Sequence, residues 1–221
     1  MSKRSINPKT QRAIEREKLW IAREFFLKPG VIKSSSHGLR SGKKDDYYFD
    51  LDYLLNEPYQ AEMLLDIYAG MINVIKEENS IDFLAFIEKA SGGTVGAIRL
   101  SVALSIKTRL PNLSVRLRKE IAFEKIKARF PEKGLRGLRA IIVSDHCTTG
   151  NEVLLAANAL KQNGASVNHA VAYTIRSDEL AKDKFLNSKI SLSYAFELPP
   201  SYEMIPKESK NLGIIAMAVN F

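Results

Sequence analysis

Between residues 81 and 175 the chain repeats one rhythm: a short run of apolar, β-forming residues, then a helical stretch, then another such run. Residues 81–87, 113–117, 140–143 and 167–175 read as strands. Residues 95–107 and 151–163 read as helices between them, the second closed by Gly164. Strands alternating with helices argue for a parallel sheet with helices packed on its faces. The pattern therefore predicts an α/β fold with a doubly wound parallel sheet. At 221 residues the chain has room for one such domain. The expectation is a single domain over 1–221, with residues 79–221 as the parallel-sheet core and residues 1–78 as an N-terminal helix and small hood.

The flanks are less regular. Ala13, Leu19, Trp20, Ala22, Phe25 and Phe26 recur at helical spacing, which predicts an amphipathic helix over 9–28, stopped by Pro29-Gly30. Val31-Ile32 and Tyr47-Tyr48-Phe49 read as a short hairpin region, and residues 55–77 as a helix entered through Asn56-Glu57-Pro58. Residues 118–136 are highly charged without a clean helical face, and a long polar loop inside a compact domain is often functional. After Phe185 two further strands are expected, at 190–196 and 212–219, around Pro199-Pro200.

Composition narrows the class of function only slightly. The net charge of +8 gathers over residues 3–44 and 107–139, and suits a polyphosphate substrate, a nucleic-acid surface or plain solubility. The first 35 residues hold one predicted helix, too little for a separate nucleic-acid reader. No apolar run approaches the roughly 20 residues that a membrane helix needs, and the basic start is not followed by an apolar signal segment. The single cysteine, Cys147, allows no internal disulfide, so a reducing cytoplasm is the expected location.

The chemistry concentrates in residues 140–151, Ala-Ile-Ile-Val-Ser-Asp-His-Cys-Thr-Thr-Gly-Asn. A buried strand delivers an acid, a Thr/Gly turn follows, and a helix begins. Backbone N–H groups and hydroxyls then converge beside a positive helix end, as a phosphate requires. The alternative is that Asp145 and Thr148 only cap the helix. Neither the nucleotide-triphosphatase phosphate loop nor the dinucleotide glycine fingerprint is present.

This segment resembles the phosphoribosyl pyrophosphate-binding motif of the type I phosphoribosyltransferases. The resemblance implies that Thr148, Thr149, Gly150 and Asn151 cradle the 5-phosphate, and that Asp145, with Ser144, bonds the ribose hydroxyls. Other segments resemble the orotate branch: Gly38-Leu39-Arg40-Ser41-Gly42, then Tyr47-Tyr48-Phe49-Asp50, and Arg118-Lys119-Glu120 at the start of that branch's mobile catalytic loop. The spacing from Gly150 through Gly164 to Arg176 matches as well. The resemblance implies a base site made by Arg40, Tyr48, Phe49 and Arg176, whose planar fork suits the orotate carboxylate. It implies Arg118 and Lys119 as catalytic cations on the leaving pyrophosphate, with Lys125 or Lys127 serving as the loop lysine in a shifted register, alongside the catalytic Asp145. It further implies a pyrophosphate contact, for which Lys89 is the expected substitute, and Mg2+ as a cofactor carried mostly by the substrate's own oxygens rather than by protein ligands. A homodimer is expected.

The chain departs from the pattern at four places. Ser144 stands for the first acid of the pair, and Glu152 follows the cradle. Ile121-Ala122-Phe123-Glu124 takes the place of the loop's lysine and histidine, and the lysine expected before Gly96 is missing. Two rivals remain on these grounds: a regulator that senses phosphoribosyl pyrophosphate without catalysis, and transfer to another base. Cys147 reads as a small hydrophobe, His146 as facing either solvent or ligand, and His37 and His169 as too isolated for a metal site.

Overall fold

The computed structural model describes residues 31–34, 47–89, 95–117, 134–176, 179–199 and 201. Strands β1 (Ile32–Ser34) and β2 (Tyr47–Phe49) pair antiparallel, Ile32 opposite Phe49. Helices α1 (Leu51–Leu55) and α2 (Pro58–Glu78) follow, then β3 (Phe83–Lys89), α3 (Val95–Thr108), β4 (Asn112–Leu117), β5 (Arg139–Cys147), α4 (Asn151–Gln162), β6 (Ser166–Arg176), α5 (Glu179–Ser188) and β7 (Ser191–Leu198). The last five strands form one sheet in the order β4-β3-β5-β6-β7, with all neighbours parallel. The expected α/β parallel-sheet class is the observed one.

Both faces of the sheet are covered, which is why its strands can be apolar throughout. On one face Ile141, Val143, Val171, Tyr173 and Phe196 pack with Leu64, Tyr68 and Ile72 of α2, and with Leu100 and Leu104 of α3. The hairpin residues Val31, Tyr47 and Phe49 belong to this same core. On the other face Ala140, Ile142, Ala170 and Ala172 meet Val153, Ala156, Ala157 and Leu160 of α4. Small side chains on both sides bring that helix close to the sheet. No described helix is long and apolar enough to cross a membrane.

The strand order reverses direction at β3 and β5. From β3 the chain moves outward to β4, whereas from β5 it moves the other way, through β6 to β7. The crossover helices α3 and α4 lie on opposite faces there, leaving a crevice beyond the carboxyl ends of β3 and β5. Open α/β sheets bind ligands in this place.

Several expectations shift. The strand expected at 140–143 runs on to Cys147, so the acid lies inside the strand rather than at its end. The strand expected at 81–87 starts and stops two residues later, and the helix expected at 55–77 is preceded by a separate short turn of helix, α1. Helix α5 was not anticipated. Its residues are mostly polar, and of its described side chains only Phe185 is buried while Leu186 is exposed, so no apolar periodicity marks it. The helix expected at 9–28, most of the loop expected at 118–136 and the strand expected at 212–219 lie outside the described residues.

Candidate active site

The carboxyl half of β5 builds the site. Strict alternation from Ile141 and Val143 would put Cys147 on their face, yet Cys147 packs in the opposite cluster with Ala140 and Ile142. The alternation therefore slips by one residue between Val143 and Cys147. That slip turns His146 toward the hairpin, where its ring centroid lies 6.2 Å from Tyr47 and 6.3 Å from Phe49. Its Nδ1 is 2.7 Å from the Thr174 hydroxyl on β6, so the ring faces the seam between hairpin and sheet rather than solvent. Cys147 is buried as a small apolar residue.

Asp145 is held by its own chain. The backbone N–H of His146 donates to its Oδ1 at 2.7 Å, which fixes the plane of the carboxylate. The carbonyl of Ser144 accepts from the Tyr68 hydroxyl of α2 at 2.6 Å. Burial, and secondarily the negative Asp145, push the Tyr68 phenol well above its ordinary pKa, so it stays protonated as a donor.

At the turn after β5 the cap position of α4 is filled by a glycine. Gly150 is the N-cap of α4 and supplies no side-chain cap bond, and Asp145 is turned onto His146 instead. The first-turn N–H groups of α4 thus emerge behind Thr148, Thr149, Gly150 and Asn151, an arrangement suited to an anion. Gly150 sits at φ 71°, a left-handed conformation that a side chain would strain. A Cβ there would lie 2.8 Å from Cε2 of Phe185 on α5. From the same helix, Lys184 Nζ donates to Asn151 Oδ1 at 2.7 Å. Ser144 and the turn residues 146–153 line one recess. Ser144 and Asp145 also line a second, with Phe86, Ile87, Ala97, Val143 and Glu152, at the crevice between β3 and β5.

At the other edge, Arg176 ends β6. It is only 6% exposed, and its guanidinium carbon stands 4.4 Å from the centroid of the Tyr47 ring. The Tyr47 hydroxyl donates to the Pro199 carbonyl at 2.6 Å, holding the ring under the cation. Arg176 is therefore a buried cation at the seam between hairpin and sheet, not a surface charge.

Phe49 is 2% exposed and stacks on Tyr173 at 5.8 Å between ring centroids, so its ring belongs to the core and Tyr47 carries the contact with Arg176. The backbones of Tyr48 and Lys89 are placed, opposite Lys33 and Leu117 respectively, but their side chains lie outside the described residues. Arg40, Arg118, Lys119 and Lys125 lie outside them as well. The sequence reading missed Tyr68, Thr174, Lys184 and Phe185. None belongs to a local motif, and they reach the site from three separate elements, α2, β6 and α5. Among the described residues no group of three or more His, Cys, Asp or Glu is placed to hold a metal.

Comparison with known proteins agrees with this geometry. No family model matches the chain. It is 33% identical over 160 residues to the orotate phosphoribosyltransferase of Pyrococcus furiosus, covering 72% of this chain and 81% of that protein. To the orotate phosphoribosyltransferase of Pyrococcus horikoshii it is 32% identical over 144 residues, covering 65% and 72%. In fold it is similar to the crystal structure of orotate phosphoribosyltransferase from Aeropyrum pernix, with a TM-score of 0.59 at 19% identity over 81% of this chain and 93% of that one.

Proposed function

This chain belongs to the orotate phosphoribosyltransferase family, and on that premise we propose how its residues carry ribose 5-phosphate from phosphoribosyl pyrophosphate to orotate. It is a pentosyltransferase, and the products are orotidine 5'-phosphate and pyrophosphate. A ring nitrogen of orotate forms a bond to the anomeric carbon and loses its proton, while the bond from that carbon to the pyrophosphate oxygen breaks.

The observation that carries the site assignment is the start of α4, with no cap side chain on Gly150 and Asp145 one strand-end away. Thr148, Thr149, Gly150 and Asn151 hold the 5-phosphate through hydroxyls and first-turn N–H groups. Asp145, with one oxygen fixed by the His146 N–H, offers the other to a ribose hydroxyl, and Ser144 assists. Arg176 faces the base carboxylate, with Arg40 and Tyr48 completing that side and Phe49 supporting it from within the core. Lys89 and the loop cations Arg118, Lys119 and Lys125 take the pyrophosphate. Such chemistry asks the protein mainly for positioning and charge.

Magnesium would be held by the hard oxygens of the substrate's own diphosphate rather than by protein side chains. Carried on the diphosphate, it neutralises charge on the leaving group. The reading extends to one domain with an N-terminal hood, a cytoplasmic location and a homodimer. Supporting the dimer is an apolar stripe on α3, where Ile98, Val102 and Ile106 stand exposed four residues apart.

The test is an assay of orotate loss and pyrophosphate release with magnesium and phosphoribosyl pyrophosphate. Release of pyrophosphate that depends on orotate is expected. A protein that binds phosphoribosyl pyrophosphate, raising its melting temperature, yet never consumes orotate would be a sensor instead.

A further inference from the structure

Helix α5 touches the phosphate turn through two consecutive residues. Lys184 donates from Nζ to Asn151 Oδ1 at 2.7 Å. Phe185, 4% exposed, places its ring where a Cβ on Gly150 would come within 2.8 Å. The last residue of the turn and the first of α4 are thus braced by neighbours on another helix. We propose that Lys184 is a positioning residue for the phosphate end of the donor, acting through Asn151. This rests on the phosphoribosyltransferase reading and deepens it.

The chemistry of the pair sets its direction. An ammonium can only donate, so Asn151 must turn its oxygen toward Lys184. Both Nδ2 protons are then left for an incoming anion. The charge matters as much as the geometry. Asp145 and Glu152 line the recesses beside the turn, and a phosphate brought between them meets two carboxylates. Lys184 sets a cation one amide away from the ligand, where it opposes that repulsion. The bond is partly buried, so solvent screens it less than a surface pair. It spans 33 residues of sequence, from the turn to a helix that carries no motif.

The test compares Lys184→Gln and Lys184→Arg with the parent, using calorimetric titration of ribose 5-phosphate and of pyrophosphate, and steady-state kinetics. Lys184→Gln is expected to weaken ribose 5-phosphate and raise the phosphoribosyl pyrophosphate KM by roughly tenfold, the scale of one charge-assisted bond. The kcat and the pyrophosphate affinity should stay near the parent's, and Lys184→Arg should recover most of the loss. Equal ribose 5-phosphate affinity in parent and Lys184→Gln would overturn the inference. So would equal losses on both ligands, or a Gln variant that no longer folds, since either makes Lys184 merely structural. A parent that binds neither ribose 5-phosphate nor phosphoribosyl pyrophosphate would instead remove the underlying reading, and this inference with it.

Discussion

Replacing Gly150 with alanine tests the turn at its most constrained point. Gly150 has φ 71°, and placing an L-residue in that left-handed region costs roughly 1–2 kcal/mol. The new Cβ would also lie 2.8 Å from Cε2 and 3.2 Å from Cζ of Phe185. That ring is buried among the α4 face of the core and cannot swing into solvent. Forcing it aside resembles overpacking, typically about 1–3 kcal/mol. Against this stands the smaller unfolded-state entropy of alanine, worth about 0.4–1 kcal/mol. The net loss is about 1–4.6 kcal/mol, which for a chain of this size lowers the melting temperature by roughly 2–18 °C. Urea titration of four proteins (parent, Gly150→Ala, Phe185→Leu and the double variant) separates the causes. Leucine lacks the two ring atoms in closest contact, so in that background the alanine should cost only its backbone strain. The coupling between the two sites should then be about 1–3 kcal/mol. A Gly150→Ala protein within about 0.5 kcal/mol of the parent would refute the backbone argument. An identical cost in both backgrounds would refute the contact with Phe185.

Three further outcomes are expected. Arg176→Ala should raise the orotate KM by roughly ten- to a hundredfold with phosphoribosyl pyrophosphate affinity nearly intact, and Arg176→Lys should fall between. Both variants binding orotate like the parent would remove Arg176 from the base site. Tyr68→Phe, which strips the donor from the Ser144 carbonyl, should lower stability by about 1–2 kcal/mol in denaturant titration; no shift in midpoint would mean that the carbonyl finds another partner. His169 has its pKa lowered, chiefly by burial, with Glu78 partly opposing. Its stabilisation is therefore present above the ordinary histidine range and lost as pH falls through the lowered folded value. His169→Gln should flatten the acid side of the melting profile below about pH 6.5, and superimposable profiles would show that another group governs it.

How much the sequence disclosed depends on how local each feature is. The parallel sheet was legible because its central strands β3, β5 and β6 are largely apolar on both faces, and that demand is written residue by residue in 83–89, 139–147 and 166–176. The turn between β5 and α4 was legible because Thr148, Thr149, Gly150 and Asn151 are contiguous, and a left-handed glycine opening a helix is a property of the backbone alone. The role of Phe49 was not, since an aromatic in a strand reads the same whether it meets a ligand or, as here, Tyr173. Tertiary packing alone decided the one-residue slip that points His146 inward, the burial of Arg176 over Tyr47 and the docking of α5 on the turn. Each of these joins elements far apart in the chain. Lys184, on a polar helix with no apolar rhythm, acquires its partner only when α4 and α5 meet on the same face of the sheet, because a charge takes its meaning from what folding brings within about 3 Å of it.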